Sequence, residues 1–382
     1  MLFRPRTGSV GRLVLALAAG LLSGCMVDVP EGPPSPCNAA ACPPESGLDG
    51  SIAVASIGAI GELFVVAANA EGGLVSARAV AKFDEQGLKV TGLLVGVSPE
   101  EDPPVVAVAL QVNGEFQATL ELGAIGVVDV KGVYDHERAL GIAGLSTSER
   151  GPMGMALFLK RGAALSSEPR TYRMTRIESD PETPIIIGER ADATLTSTEF
   201  SVSEVQVAGG ASGPAFVGTV ESTGPRLVVR ALGTTLLLEG AVADQRDAVV
   251  FMRHASFTGS RPLRPSLWVG LLDGAAATRR QIVGVHQIQG VTATADDRWQ
   301  FDQITLTIDA EARFVAQSLA GTFSGAGTVE VEDGARFRLS IDEGVALFGH
   351  FDTSGEVSTF VRTDLAGATP SVYVGTRIAH TR

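Results

Sequence analysis

Two short stretches bring acid–base groups within a few residues of one another. Tyr134-Asp135-His136-Glu137-Arg138 sets an imidazole between two carboxylates, and His350-Phe351-Asp352-Thr353-Ser354-Gly355 offers imidazole, carboxylate and hydroxyl in close succession. Strand alternation places His350 and Asp352 on one face. A working triad also needs its members to converge beside an oxyanion hole. Ser354 falls in a turn, and no G-x-S-x-G elbow occurs. The first cluster has counterparts at Ala243-Asp244-Gln245-Arg246-Asp247 and Phe351-Asp352-Thr353-Ser354-Gly355. All three follow a strand-ending glycine, where aspartate closes turns. Asp296, Asp297 and Asp302 flank Trp299, with Asp309 and Glu311 beyond. Calcium takes clustered oxygens, but neither the EF-hand spacing nor the G-G-x-G-x-D repeat is present, so these residues read as a solvated acidic edge. His254, His286 and His380 lack partners at ligand spacing, and no phosphate-binding glycine loop opens a helix. The expectation is no catalytic residue, no metal and no cofactor. An envelope hydrolase is the third-ranked reading.

A different chemistry belongs to Cys25. Arg4, Arg6 and Arg12 precede the ten-residue apolar run Leu13–Leu22, too short to span a bilayer, which takes about 20 residues. Leu22-Ser23-Gly24-Cys25 follows. This layout resembles the lipobox of bacterial lipoproteins. The resemblance implies a signal peptide over 1–24, cleavage before Cys25, and a diacylglycerol on the Cys25 thiol. Buried CH₂ groups contribute about 0.8 kcal/mol each, so two or three chains hold a protein on a membrane without a spanning helix. Met26 stands where Asp would mark inner-membrane retention, which resembles outer-membrane sorting. The expected location is the cell envelope, anchored by lipid in the outer membrane of a Gram-negative bacterium, with the body facing periplasm or exterior.

Residues 25–51 form the lipidated tether, rich in Pro, Gly, Ser and acids and unable to build a core. Cys37 and Cys42 lie inside it. In an oxidising compartment a Cys37–Cys42 disulfide is the economical reading, and it stiffens only the tether.

Composition bounds the rest. The chain has 382 residues, 45% of them hydrophobic and 45 of them glycine, with a net charge of −13. Removing three of the 30 basic residues and none of the 43 acidic ones takes the charge to −16. Such a balance excludes a nucleic-acid partner, which needs a basic footprint. From Ile52 onward the pattern is period-2 with turn glycines, an all-β signature. Around Asn113-Gly114, Val112 counted in the loop aligns Leu110 with Phe116. Around Glu332-Asp333-Gly334, a three-residue loop sets Val329 opposite Phe337 and Glu330 opposite Arg336.

Internal repeats divide the body. Gly132, Gly240 and Gly349 recur at spacings of 108 and 109 residues. Phe251-Met252-Arg253 matches Phe360-Val361-Arg362, and Pro265-Ser266-Leu267-Trp268-Val269-Gly270 matches Pro370-Ser371-Val372-Tyr373-Val374-Gly375. Lys82-Phe83-Asp84 and Gln300-Phe301-Asp302 read as openings of similar strands. Three β units follow, over 52–162, 170–272 and 279–379, each a tandem antiparallel meander closed as a small barrel to remove its edges. These Gly-aromatic and Asp-Gly patterns resemble small lipocalin-like barrels of envelope proteins. A six-bladed β-propeller is the alternative. A membrane-spanning barrel would need aromatic girdles, and the chain has only three Tyr and two Trp.

Trp268 and Tyr373 hold equivalent places, which favours a core or barrel-plug role. Lining a ligand cavity is their sharper alternative. The function expected first is a lipid-anchored scaffold or binding module with an envelope protein as partner. A carrier of a small apolar ligand, held in a cavity lined by Phe, Leu and Trp268 or Tyr373, is second.

Overall fold

The computed structural model describes Ser51–Ile52 and residues 60–378, apart from 69–73, 85–86, 112–113, 136–139, 163–164, 180–185, 208–215, 224–225, 233–236, 244–246, 254–255, 259–260, 264–265, 275–276, 294–298, 320–323, 332–335, 342–345 and 364–370. Cys25, Cys37, Cys42 and the tether up to residue 50 lie outside the described residues. Among those described, no helix is long and apolar enough to cross a membrane.

The body is all-β. Eight strands close the middle barrel: Arg170–Ser179, Ile186–Leu195, Glu199–Val207, Phe216–Thr223, Arg226–Ala231, Leu237–Val242, Ala248–Arg253 and Ser266–Leu272. Eight more close the last barrel: Gly284–Ala293, Trp299–Ile308, Arg313–Ser318, Gly325–Val331, Arg336–Ile341, Ala346–Phe351, Val357–Thr363 and Ser371–Arg377. In both, the first strand pairs with the last, so that Tyr172 meets Leu272 and Gly290 meets Tyr373. Barrels, and not propeller blades, satisfy the edges.

The first unit is a ten-stranded sheet. Its order in space is Ser51–Ile52, Ala109–Gln111, Glu115–Glu121, Val127–Asp135, Leu140–Thr147, Gly151–Lys160, Ile60–Ala68, Leu74–Asp84, Gly87–Val95 and Ser98–Pro99. Among the described residues it is drawn round by one bridge, in which the Leu88 amide donates to the Val106 carbonyl at 2.7 Å and the Val106 amide to the Leu88 carbonyl at 3.0 Å. The seam has a local cause. Pro99, Pro103 and Pro104 have no N–H to give a ladder, so the segment running to Val106 cannot pair continuously with Gly87–Val95.

Inward side chains follow the alternation. Phe200, Phe251 and Trp268 fill the middle barrel, and Phe337, Phe351, Phe360 and Tyr373 the last. A further core lies between the units. Phe64, Val66, Met155 and Leu157 of the first unit meet Val250, Met252 and Val269 of the middle barrel and Val291, Phe301 and Val372 of the last. These side chains stand on outer faces of the sheets. Strands such as Ile60–Ala68 and Ser266–Leu272 are therefore buried on both faces, and they read as apolar runs with no alternation. Arg78 of the first unit pairs with Glu239 of the middle barrel, which also takes Arg226.

Local expectations fared unequally. Leu110 pairs with Phe116 as the turn count requires. In the Gly325–Val331/Arg336–Ile341 hairpin, Val331 faces Phe337 and Glu330 faces Arg338, two residues from the expected register. A shift of two keeps every side chain on its face, so the apolar pattern alone could not detect it. The Lys82-Phe83-Asp84 and Gln300-Phe301-Asp302 likeness is not a repeat. The former ends its strand with Phe83 inside the sheet; the latter opens its strand with Phe301 in the core between units.

Candidate functional site

The interiors of the three units differ at one set of equivalent positions. In the middle barrel Gly240 pairs with Phe251, and Phe251 with Trp268. In the last barrel Gly349 pairs with Phe360, and Phe360 with Tyr373. Each glycine makes room for the ring beside it. A Cβ on Gly240 would lie 2.3 Å from Phe251 Cδ1, and one on Gly349 1.9 Å from the Thr359 carbonyl oxygen and 2.5 Å from Phe360 Cδ1. Glycine covered by a cross-strand aromatic is a recurrent device in curved sheets. The first unit has the same ladder as Gly132–Ala143–Ala156. Two alanines stand where the other units carry Phe with Trp or Tyr.

That replacement leaves space. A cavity of about 30 Å³ lies inside the first unit, lined by Ala143, Ala156, Leu88, Phe83, Phe116 and Phe158 among other apolar residues. Phe158 takes up part of the room and stacks edge-on against Phe83, with Tyr134 beside both. Neither Trp268 nor Tyr373 lines this cavity. Trp268 is buried in its barrel against Phe200, with the Arg176 guanidinium 4.9 Å from the ring centroid. Tyr373 is buried in the last barrel, its hydroxyl 3.5 Å from Thr292 Oγ1. Burial pushes the Tyr373 phenol above its ordinary range, against the opposing pull of Thr292 and Ser371.

The polar candidates are engaged in structure. His350 is buried, and its Nε2 lies 2.8 Å from the Arg173 carbonyl oxygen of the middle barrel. A carbonyl only accepts, so Nε2 carries the proton; Thr359 Oγ1 lies 3.0 Å from the same nitrogen. Asp352 closes its turn. Its Oδ1 accepts from the amides of Glu356 at 2.8 Å and Val357 at 3.0 Å, and its Oδ2 from Ser354 Oγ at 2.8 Å. Asp302 is buried and accepts from Ser318 Oγ. Asp309 accepts from the Arg313 amide and side chain, each at 2.8 Å, which holds its carboxyl below the usual range. His286 Nε2 donates to the Ile282 carbonyl at 2.9 Å. Among the described residues no group of three or more His, Cys, Asp or Glu is arranged to hold a metal. His136, Glu137, Arg138, Asp244, Asp296 and Asp297 lie outside the described residues, as do His254 and His380.

No family model matches the chain, and no curated protein matches it. Solved structures match it over most of its length at low identity. A mutant of transferrin binding protein B from Haemophilus parasuis Hp5 is 10% identical, with a TM-score of 0.30 over 84% of this chain and 75% of that one. The transferrin binding protein B of serogroup B Neisseria meningitidis is 7% identical, with a TM-score of 0.28 over 80% of this chain and 63% of that one. Superposition at this level carries no functional conclusion.

The apolar cavity was not visible to motif reasoning. The signal was present in the repeat: alignment on Gly132, Gly240 and Gly349 puts Ala143 opposite Phe251 and Phe360, and the Gly132/Gly349 pair puts Ala156 opposite Tyr373.

Proposed function

We propose that this chain is a lipid-anchored module of the bacterial cell envelope that acts by binding and scaffolding. One structural observation carries the binding reading. The three units are fused through a core made of outer sheet faces, which produces one broad β body. Rigid sheets joined by surface hairpins are suited to presenting a surface. The engagement of His350 with Arg173, and of Asp352 with its own turn, supports structural roles for the two groups best placed for acid–base work. The anchoring half of the proposal rests on Cys25 and the apolar run before it. The expected partner is an envelope protein, and the expected site of attachment is the outer membrane.

Fractionation tests the anchor. Native protein should pellet with membranes and release into detergent, while Cys25→Ala should remain unlipidated and lose that attachment. Equal membrane recovery of both forms, or an intact leader by mass spectrometry, removes the anchor.

A further inference from the structure

We infer that one edge of the middle barrel meets the surface of a lipid bilayer through Val217, Leu232 and Leu237. The inference rests on the anchor reading for what brings a membrane near, and on exposed side chains for where the contact falls. Val217 is 42% exposed, Leu232 61% and Leu237 37%. Val220, Ala231 and Leu238 are buried, so strand alternation turns Val217, Leu232 and Leu237 outward together. The Leu232 amide donates to the Val217 carbonyl at 2.8 Å, which sets these two side by side. Leu237 pairs with Arg230, which makes it the diagonal neighbour of Leu232 on the same face. Three of the ten large hydrophobic side chains exposed among the described residues therefore adjoin one another. Thr219 and the Arg230–Glu221 ion pair bound them on the side away from the barrel end.

The sequence around the patch points to its occupant. Residues 205–220 and 231–238 carry no charged side chain, in a chain that is 19% charged. They take in both connections that join Glu199–Val207 to Phe216–Thr223 and Arg226–Ala231 to Leu237–Val242 at this end of the barrel. A protein partner asks only for an apolar patch with a polar rim. A bilayer asks that a whole projecting edge be free of charge, since an ionised group is costly to carry toward hydrocarbon. The other two connections at the same end, 180–185 and 254–265, contain Asp180, Glu182, Arg261 and Arg264, so the contact belongs to one half of the rim. Chain length permits it. Residues 26–50 span up to ~80 Å when extended, against about 33 Å for a ten-residue strand, so an anchor at Cys25 lets either end of the barrel reach the membrane. The anchor also holds the patch at a high effective concentration of lipid, where a weak contact suffices. An anionic leaflet repels a chain of net charge −13, so the matching surface is zwitterionic.

The test uses the processed full chain with Cys25→Ser, so that loss of the anchor and loss of this contact are read separately. It is sedimented with phosphatidylcholine vesicles up to about 10 mM lipid, because an interfacial contact without an anchor is weak. The chain should co-sediment in proportion to lipid. Val217→Ser, Leu232→Ser and Leu237→Ser combined should lower the partition coefficient at least tenfold. Val97→Ser with Val315→Ser, at exposed sites on the first unit and the last barrel, should leave it unchanged. Leu232→Trp gives a readout that does not depend on the triple variant folding. Above the background of Trp268 and Trp299, its emission should shift to the blue with vesicles and be quenched by phosphatidylcholine brominated on the acyl chains, while Val315→Trp should show neither effect. Adding phosphatidylglycerol should weaken partition. No co-sedimentation, partition unaffected by a folded triple variant, no quenching of Leu232→Trp, or partition strengthened by phosphatidylglycerol overturns the inference. A dimer lost in the triple variant, with no vesicle binding, overturns it in favour of a second copy of this chain.

Discussion

Glu239→Ala should be among the most damaging single changes at the junction of the first unit and the middle barrel. The Arg78 side chain is 9% exposed and that of Glu239 16%. Burial pulls the Arg78 guanidinium down; Glu239 restores it, the nearby Arg226 opposes it, and Glu62 adds a smaller favourable contribution. Removing Glu239 leaves one buried cation without its main partner and facing a second cation. Breaking a buried pair from one side costs about 3–5 kcal/mol. The lower end applies here, because Glu239 and Arg226 keep some contact with water, so about 3 kcal/mol is expected. With a urea slope of about 3 kcal/mol/M for a chain of this size, the unfolding midpoint should fall by about 1 M, followed by tryptophan fluorescence. Arg78→Met combined with Glu239→Leu should recover most of that loss, since an apolar pair of similar volume removes the uncompensated charge. A midpoint shift under about 0.3 M for Glu239→Ala, or strictly additive effects in the double-mutant cycle, would refute the reasoning.

Two further outcomes follow from the barrel interiors. Gly349→Ala should destabilise the last barrel by about 1–3 kcal/mol in thermal or urea unfolding, because the added Cβ meets the Thr359 carbonyl and the Phe360 ring, neither of which can swing aside; an unchanged midpoint would contradict the ladder. Tyr373 has a phenol raised by burial, so its contribution to stability is complete below the unfolded phenol pKa of about 10 and disappears as pH rises through the higher folded value. Tyr373→Phe should lose about 1 kcal/mol or less at neutral pH and show a shallower fall in stability above pH about 10. Parallel stability curves for the two proteins across that window would show that Tyr373 does not contribute.

Much of the architecture is legible in residue order because a strand with one wet face writes its period into the chain. Arg336–Ile341 alternates Arg-Phe-Arg-Leu-Ser-Ile, and Phe337 and Leu339 lie in the last core. The Gly240/Gly349 spacing is legible for a related reason: a ring beside each glycine constrains both residues, so the pair repeats as a pair. Three things were illegible. The two-residue shift in the Val331–Phe337 pairing preserves facing, so hydrophobicity cannot report it. His350 serves a carbonyl 177 residues away, a contact no local window contains. The cavity depended on two alanines, which pattern reading counts merely as apolar.

The runs that broke the alternation carry the most consequence. Leu63-Phe64-Val65-Val66-Ala67 and Met155-Ala156-Leu157-Phe158-Leu159 have no polar side to show, and each splits its side chains between the interior of the first unit and the core shared with the barrels. Such a strand gains burial on both faces, at about 25 cal/mol per Å² of apolar surface, but only if the neighbouring units are in place. Among the described residues the first unit has no closing ladder of its own beyond Leu88–Val106, so its shape depends on that external face in a way the closed barrels do not. Support from outside and looseness at the seam are therefore complementary. The strands through Phe64 and Met155 are clamped against the middle and last barrels, while Gly87–Val95, across the sheet, bears the weak bridge. The first sheet is thus packed against its neighbours on one side and joined by the Leu88–Val106 bridge on the other, and Leu88 also lines the interior cavity.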